Sequence, residues 1–207
     1  GNILAAEFIN QGRRYQAVRY TDGGGRTDYY ALNGESMRKT FLRTPVEFSR
    51  ISSRFSSGRK HPVLNKIRAH KGVDYAASTG TPIKSTANGK IIHIGKKGGY
   101  GNTIIVQHGT RYSTLYAHMS KYRGGLKNGS RVRQGQTIGY VGSSGLATGP
   151  HLHYELRVDG THRDPLRVKL PGADPLNEKY MEDFTEKSKM LIAQIDLVRD
   201  VQVASNN

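Results

Sequence analysis

A chain of 207 residues and 22.9 kDa is long enough for one or two domains. Its 35% hydrophobic residues, 12 tyrosines and 25 glycines describe a folded, strand-rich, glycine-turned protein and exclude a disordered one. The chain has no cysteine, which excludes disulfide scaffolds, thiolate zinc fingers, iron–sulfur sites and a cysteine nucleophile.

Thirty-two Lys and Arg against 16 Asp and Glu give a formal charge of +16. Such a field attracts polyanions: nucleic acid, an anionic lipid surface or an acidic wall polymer. Residues 172–207 hold seven acids and four bases, so an excess of +19 falls on residues 1–171. The bases are scattered and form no nucleic-acid-binding signature, so no nucleic-acid partner is expected. No apolar run approaches the length of a membrane-crossing helix. The chain opens on Gly1 with no charged and then apolar leader, and it reads as a processed or truncated piece.

Residues 1–48 read as a small β-rich segment. Strand patterns at 15–20 and 28–32 flank the turn-forming Asp22-Gly23-Gly24 and precede Asn33-Gly34, with a boundary near Thr44-Pro45. The segment is too small for its own core and reads as the remnant of a preceding domain. Residues 49–171 form the main body, with short strands expected at 90–95, 103–107, 114–116, 137–141 and 152–158. Turn signals at Asn88-Gly89, Lys97-Gly98-Gly99, Asn128-Gly129 and Asp159-Gly160 separate them, which indicates a mainly β, antiparallel sandwich or barrel. Residues 172–207 change character. Asp174 can cap a helix with Pro175 in its first turn, and Leu176, Tyr180, Phe184, Leu191, Ile195 and Val198 share one helical face. That helix packs on the body or on a neighbouring subunit.

Two histidine spacings carry chemistry. His70 and Asp74 lie four residues apart, and His151-Leu152-His153 places two imidazoles at i and i+2, on one face of a strand. Leu152, Tyr154, Leu156 and Val158 form the apolar face of that strand, opposite His151, His153, Glu155 and Arg157. In a chain with eight His, a chance His-x-His is expected about 0.3 times. Each spacing alone is therefore a weak signal. Together they supply imidazole, imidazole and carboxylate, the ligands zinc takes in hydrolases with a fourth position open. A third feature, Tyr116-Ala117-His118-Met119, ends another expected strand.

The context His70-Lys-Gly-Val-Asp74-Tyr-Ala-Ala, then Tyr116-Ala-His118-Met, then Thr148-Gly-Pro-His151-Leu-His153 resembles the lysostaphin-type zinc endopeptidases, which cut peptide bonds in bacterial peptidoglycan. The resemblance covers about residues 50–170. The segments 59–65 and 132–142 look closest to the Gram-negative murein DD-endopeptidase branch, and residues 1–48 resemble the region before the peptidase domain in larger periplasmic members. It implies a duplicated-hybrid-motif β fold, one zinc ion, His70, Asp74 and His153 as its ligands, and His118 and His151 as catalytic histidines, either of which could be the base. It also implies cross-link peptides of peptidoglycan as substrate, a periplasmic or envelope location, and an inhibitory domain further upstream that has no counterpart in these residues. The sequence departs from some members in one respect. No tyrosine stands at 64–69 to steady an oxyanion, and Arg68 there reads as structural. His61, His93, His108 and His162 have no ligand partners by spacing. Loops 95–102 and 120–130 are expected to wall the cleft. The rival readings are a glycyl-glycine endopeptidase and a non-catalytic wall-binding or amidase-activating relative, which would ordinarily lack part of the ligand set. A biotinyl- or lipoyl-type carrier, echoed by 82–91 and 132–142, would have no use for the histidines.

Overall fold

The computed structural model describes residues 1–47, 49–60 and 67–205, so His61 and most of the 59–65 segment lie outside the described residues. The chain divides into two compact units, Gly1–Thr40 with Pro171–Asn207, and Phe41–Leu170.

In the first unit, β1 (Ala5–Asn10), β2 (Arg13–Thr21) and β3 (Thr27–Tyr30) form an antiparallel meander. Gln11 and Gly12 both take positive φ, the twist that a two-residue hairpin requires. Val18, Tyr20 and Tyr30 point to one face and bury Phe184 of helix α1 (Met181–Ser205), whose ring meets Tyr20 and Tyr30 edge-on at 5.3 and 6.0 Å. The helix starts later than the sequence suggests. Leu176 donates its N–H to the Gly34 carbonyl and is buried beside Phe184, which keeps Asp174 out of a helix. Asn177 makes the cap instead, accepting from the Lys179 N–H ahead of a single 3-10 turn, Glu178–Tyr180. Val198, expected on the packed face, is exposed.

The second unit contains β4 (Arg50–Ser53), β5 (Ser56–Lys60), β6 (Ile67–His70), β7 (Val73–Ala76), β8 (Pro82–Lys84), β9 (Gly89–Lys96), β10 (Asn102–His108), β11 (Tyr112–Ala117), β12 (Met119–Tyr122), β13 (Arg131–Val132), β14 (Thr137–Val141), β15 (His151–Val158) and β16 (Thr161–Arg163). The large sheet runs β13-β9-β10-β11-β15-β7-β4, with β16 also paired to β15, and every neighbouring pair is antiparallel. A smaller sheet runs β12-β14-β8, and β5 pairs with β6. Val73, Tyr75, Ile104, Tyr116, Leu152 and Tyr154 of the large sheet pack against Ile83, Met119, Ile138 and Val141 of the small one, so the core lies between two layers. This is the mainly β, antiparallel sandwich expected from the sequence, and all five strands expected in the body are present. The body strands that were not expected run from two to five residues, and the shortest, β8 and β13, are too short for alternation to show.

A chain of hydrogen bonds runs through this core. The Tyr116 hydroxyl accepts from the Thr86 N–H at 2.9 Å and lies 3.0 Å from the hydroxyls of Thr86 and Thr114. Thr86 continues to the Tyr154 hydroxyl at 3.1 Å, and Thr114 to His108 Nε2 at 2.7 Å. His108 Nδ1 donates to the Asn88 carbonyl, and burial pushes this imidazole below its ordinary pKa. Removing one buried partner leaves others unsatisfied. Tyr116→Phe is therefore expected to cost about 1–3 kcal/mol in chemical denaturation, with the folded far-UV spectrum intact. His108 is neutral in the fold, so its contribution is complete above about pH 6.5 and declines as the pH falls below it. The stability gap between wild type and His108→Gln should narrow between pH 7.5 and 5.5.

Candidate metal centre

The two-residue period of β15 sends Leu152, Tyr154 and Leu156 inward and turns His151, His153, Glu155 and Arg157 to the other face. In register, His153 stands opposite Asp74 on β7 and opposite Ala117 on β11. His70 closes β6, with two residues between it and the start of β7. The intervening Gly72 is what allows this crossing. A Cβ there would stand 2.4 Å from the Tyr154 carbonyl oxygen and 2.8 Å from Cε1 of His153.

Three atoms converge as a result. His70 Nε2 is 3.0 Å from Asp74 Oδ1 and 3.1 Å from His153 Nδ1, and His153 Nδ1 is 2.8 Å from Asp74 Oδ1. These residues are the group able to hold a metal ion among the described residues. Their outer contacts settle which atoms face inward. His70 Nδ1 meets the Arg54 carbonyl at 2.8 Å, and His153 Nε2 meets the Glu155 carboxylate at 3.2 Å. Both partners only accept, so each outer nitrogen carries a hydrogen and the inner nitrogen of each ring is the one left to offer a lone pair toward Asp74. Two lone pairs and a carboxylate within about 3 Å of one another call for a cation. The triangle is slightly tighter than the edge of about 3.3 Å in a tetrahedron with ligands at 2.0–2.1 Å, the zinc distance for nitrogen and oxygen. The donor set thus fits zinc. Burial opposes ionisation of Asp74, but His153 and His70 hold it well below the ordinary carboxylate range. Burial likewise opposes charging of His153, but Asp74 and Glu155 hold it above an ordinary imidazole.

His151 and His118 stand beside this triangle. His151 Nδ1 donates to the Gly149 carbonyl at 2.8 Å, leaving Nε2 with its lone pair 3.9 Å from Asp74 Oδ1. His118 Nδ1 donates to the Ser144 carbonyl at 2.7 Å, and its ring centre lies 4.7 Å from that of His151 and 6.0 Å from that of His153. Burial lowers the His118 pKa to about 4. His118 also takes a left-handed φ of 58° at the corner where β11 leaves the large sheet and β12 enters the small one. A strained non-glycine residue at a cleft is a mark of a working position. Its backbone N–H donates to the Tyr100 carbonyl.

All five residues expected from the sequence are thus brought together. The structure adds others. Glu155, fully buried, accepts from His153, Tyr100, Arg157 and His162. Burial would raise its pKa, but these donors outweigh it and hold the carboxyl at about 2. His162, left without a role by spacing, therefore belongs to the surroundings of the site. Ser144 is another addition, since its hydroxyl binds the Met119 carbonyl and the Asn102 N–H while its carbonyl holds His118. Of the two expected wall loops, 95–102 brings Tyr100 against His153 with ring centres 5.6 Å apart. Residues 119–123 pair with β14 instead.

The sequence pattern of Peptidase family M23 matches residues 68–165, which span all five of these residues. The chain is 43% identical to the peptidoglycan DD-endopeptidase ShyC of Vibrio cholerae, over 95% of this chain and 44% of the relative. It spans about half the length of the curated relatives it matches. A zinc-containing peptidase from Vibrio cholerae superimposes over 82% of this chain and 51% of its own, with a TM-score of 0.61 and 34% identity. The catalytic domain of lysostaphin from Staphylococcus simulans is 32% identical, over 57% of this chain and 90% of its own, with a TM-score of 0.51. With the lysostaphin domain matched over nearly its whole length and the family pattern laid across the His70, Asp74 and His153 triangle, the chain belongs to peptidase family M23.

Proposed function

We propose that this chain is a zinc-dependent endopeptidase that hydrolyses peptide cross-links of bacterial peptidoglycan, at the D-Ala to meso-diaminopimelate bond, in the periplasm or cell envelope. The observation that carries this reading is the convergence of His70, Asp74 and His153 beside two further imidazoles whose free nitrogens are not spent on the triangle. The family and the name of the 43% identical Vibrio cholerae relative support the substrate class. The excess of +19 on residues 1–171 suits a substrate bearing free carboxylates.

Zinc held by His70, Asp74 and His153 supplies a Lewis acid and lowers the pKa of a water to about 7. The donor set carries one negative charge, from Asp74. His151 and His118, each with Nδ1 tied to a carbonyl, present Nε2 as acceptor. Between them they take the proton of the attacking water, return it to the leaving amine and steady the charge on the carbonyl oxygen. Burial keeps His118 neutral at pH 7. The complete ligand set speaks against the non-catalytic relative.

The test is mass spectrometry of purified cross-linked muropeptide dimers, incubated with zinc-loaded protein and with a chelated control. Metal-dependent conversion to monomers at the D-Ala to diaminopimelate bond is expected. Cleavage confined to glycine bridges, or no cleavage, contradicts the proposal. His153→Ala should lose both zinc and turnover in metal analysis and assay. His151→Ala should keep most of the zinc and lose turnover by about 10²–10⁴-fold. Gly72→Ala should lose both zinc affinity and stability in chemical denaturation, because the new methyl presses on the Tyr154 carbonyl and the His153 ring.

A further inference from the structure

We infer that Glu155 and Tyr100 form a positioning pair that sets which nitrogen of His153 faces the metal and ties that ligand to His118. The inference rests on the metal-site reading above and goes beyond it. Glu155 Oε1 lies 3.2 Å from His153 Nε2 and 2.6 Å from the Tyr100 hydroxyl. Its Oε2 lies 2.6 Å from Arg157 Nη2, 3.2 Å from Arg157 Nε and 3.0 Å from His162 Nε2. A carboxylate donates nothing, so His153 carries its hydrogen on Nε2 and offers the metal Nδ1. His70 does the reverse, which is why two rings from different strands present lone pairs to one point. Arg157 and His162 occupy the far oxygen and stop the carboxylate from turning away.

Tyr100 extends this hold to the second half of the site. Its hydroxyl shares Oε1 with His153, its ring lies against His153, and its carbonyl accepts the His118 N–H at 2.9 Å. That backbone bond and the Ser144 carbonyl are what keep His118 at its left-handed φ. Tyr100 itself sits in a single 3-10 turn, Gly98–Tyr100, clamped by the Leu146 N–H on the Gly99 carbonyl. A Cβ at Gly101 or Gly145 would stand within 2.5 Å of backbone in the facing loop, so these two glycines let the clamp close. One residue therefore spaces the metal ligand and the histidine beside it.

Neither residue touches substrate in this account, so their test must read position and not only turnover. Zinc affinity is measured by competition with a chromophoric chelator for wild type, His153→Ala, Glu155→Gln and Tyr100→Phe. The imidazole nitrogen shifts of His153 are recorded in the zinc-loaded proteins. Glu155→Gln is expected to weaken zinc about 10–100-fold and to shift the His153 signals. Tyr100→Phe, the milder change should Glu155→Gln fail to fold, is expected to lower kcat about tenfold at unchanged KM. Wild-type zinc affinity and unshifted His153 signals in Glu155→Gln, or wild-type kcat in Tyr100→Phe, overturn this inference alone. A wild-type protein whose zinc binding does not depend on His153 overturns the metal site and this inference with it.

Discussion

Three electron-rich atoms, His70 Nε2, Asp74 Oδ1 and His153 Nδ1, are held within about 3 Å of one another in a setting that leaves each residue nearly buried. Such a cluster needs positive charge among its atoms, because bare lone pairs and a carboxylate repel when water cannot separate them. It persists because the outer face of each ring is fixed by an acceptor and because the sheet on which it stands is rigid. Much of the second unit can be understood as the scaffold that forces these atoms together.

The scaffold works by register. β15 is central in the large sheet, bonded to β7 on one side and β11 on the other, so a slip by one residue would turn every functional side chain into the core. The small sheet buries the opposite face through Leu152, Tyr154 and their partners, which opposes that slip with hydrophobic area. Loops then refine what strands position. The 98–101 turn and the 142–146 segment interlock at Gly101 and Gly145 and hold His118 from both its backbone and its ring.

Much of this was legible in the sequence. The alternation around His151 and His153 exposed the strand and its polar face, and the motif order pointed to five residues that the fold brings together, because short-period patterns are local. What escaped was set by distant segments. Glu155 showed only as another polar residue on β15, since nothing local says that Tyr100, Arg157 and His162 meet on its carboxylate. Gly72 lay inside a recognised motif, but its need for a missing Cβ depends on where His153 falls in three dimensions. The start of α1 was misplaced for a similar reason: Asp174 and Pro175 make a sound local cap, and a tertiary bond from Leu176 to Gly34 overrides it. The apolar stripe of the helix showed that it packs, and not that Tyr20 and Tyr30 are what it packs on.

The central claim is that a metal ion occupies the point where His70, Asp74 and His153 converge. Anomalous diffraction at the zinc edge from crystals of the zinc-loaded protein tests it most directly. The account predicts one strong peak about 2.0–2.1 Å from His70 Nε2, Asp74 Oδ1 and His153 Nδ1, with His118 and His151 outside bonding distance. A peak bound through His118 or His151, or one on the surface with the triangle empty, would contradict it.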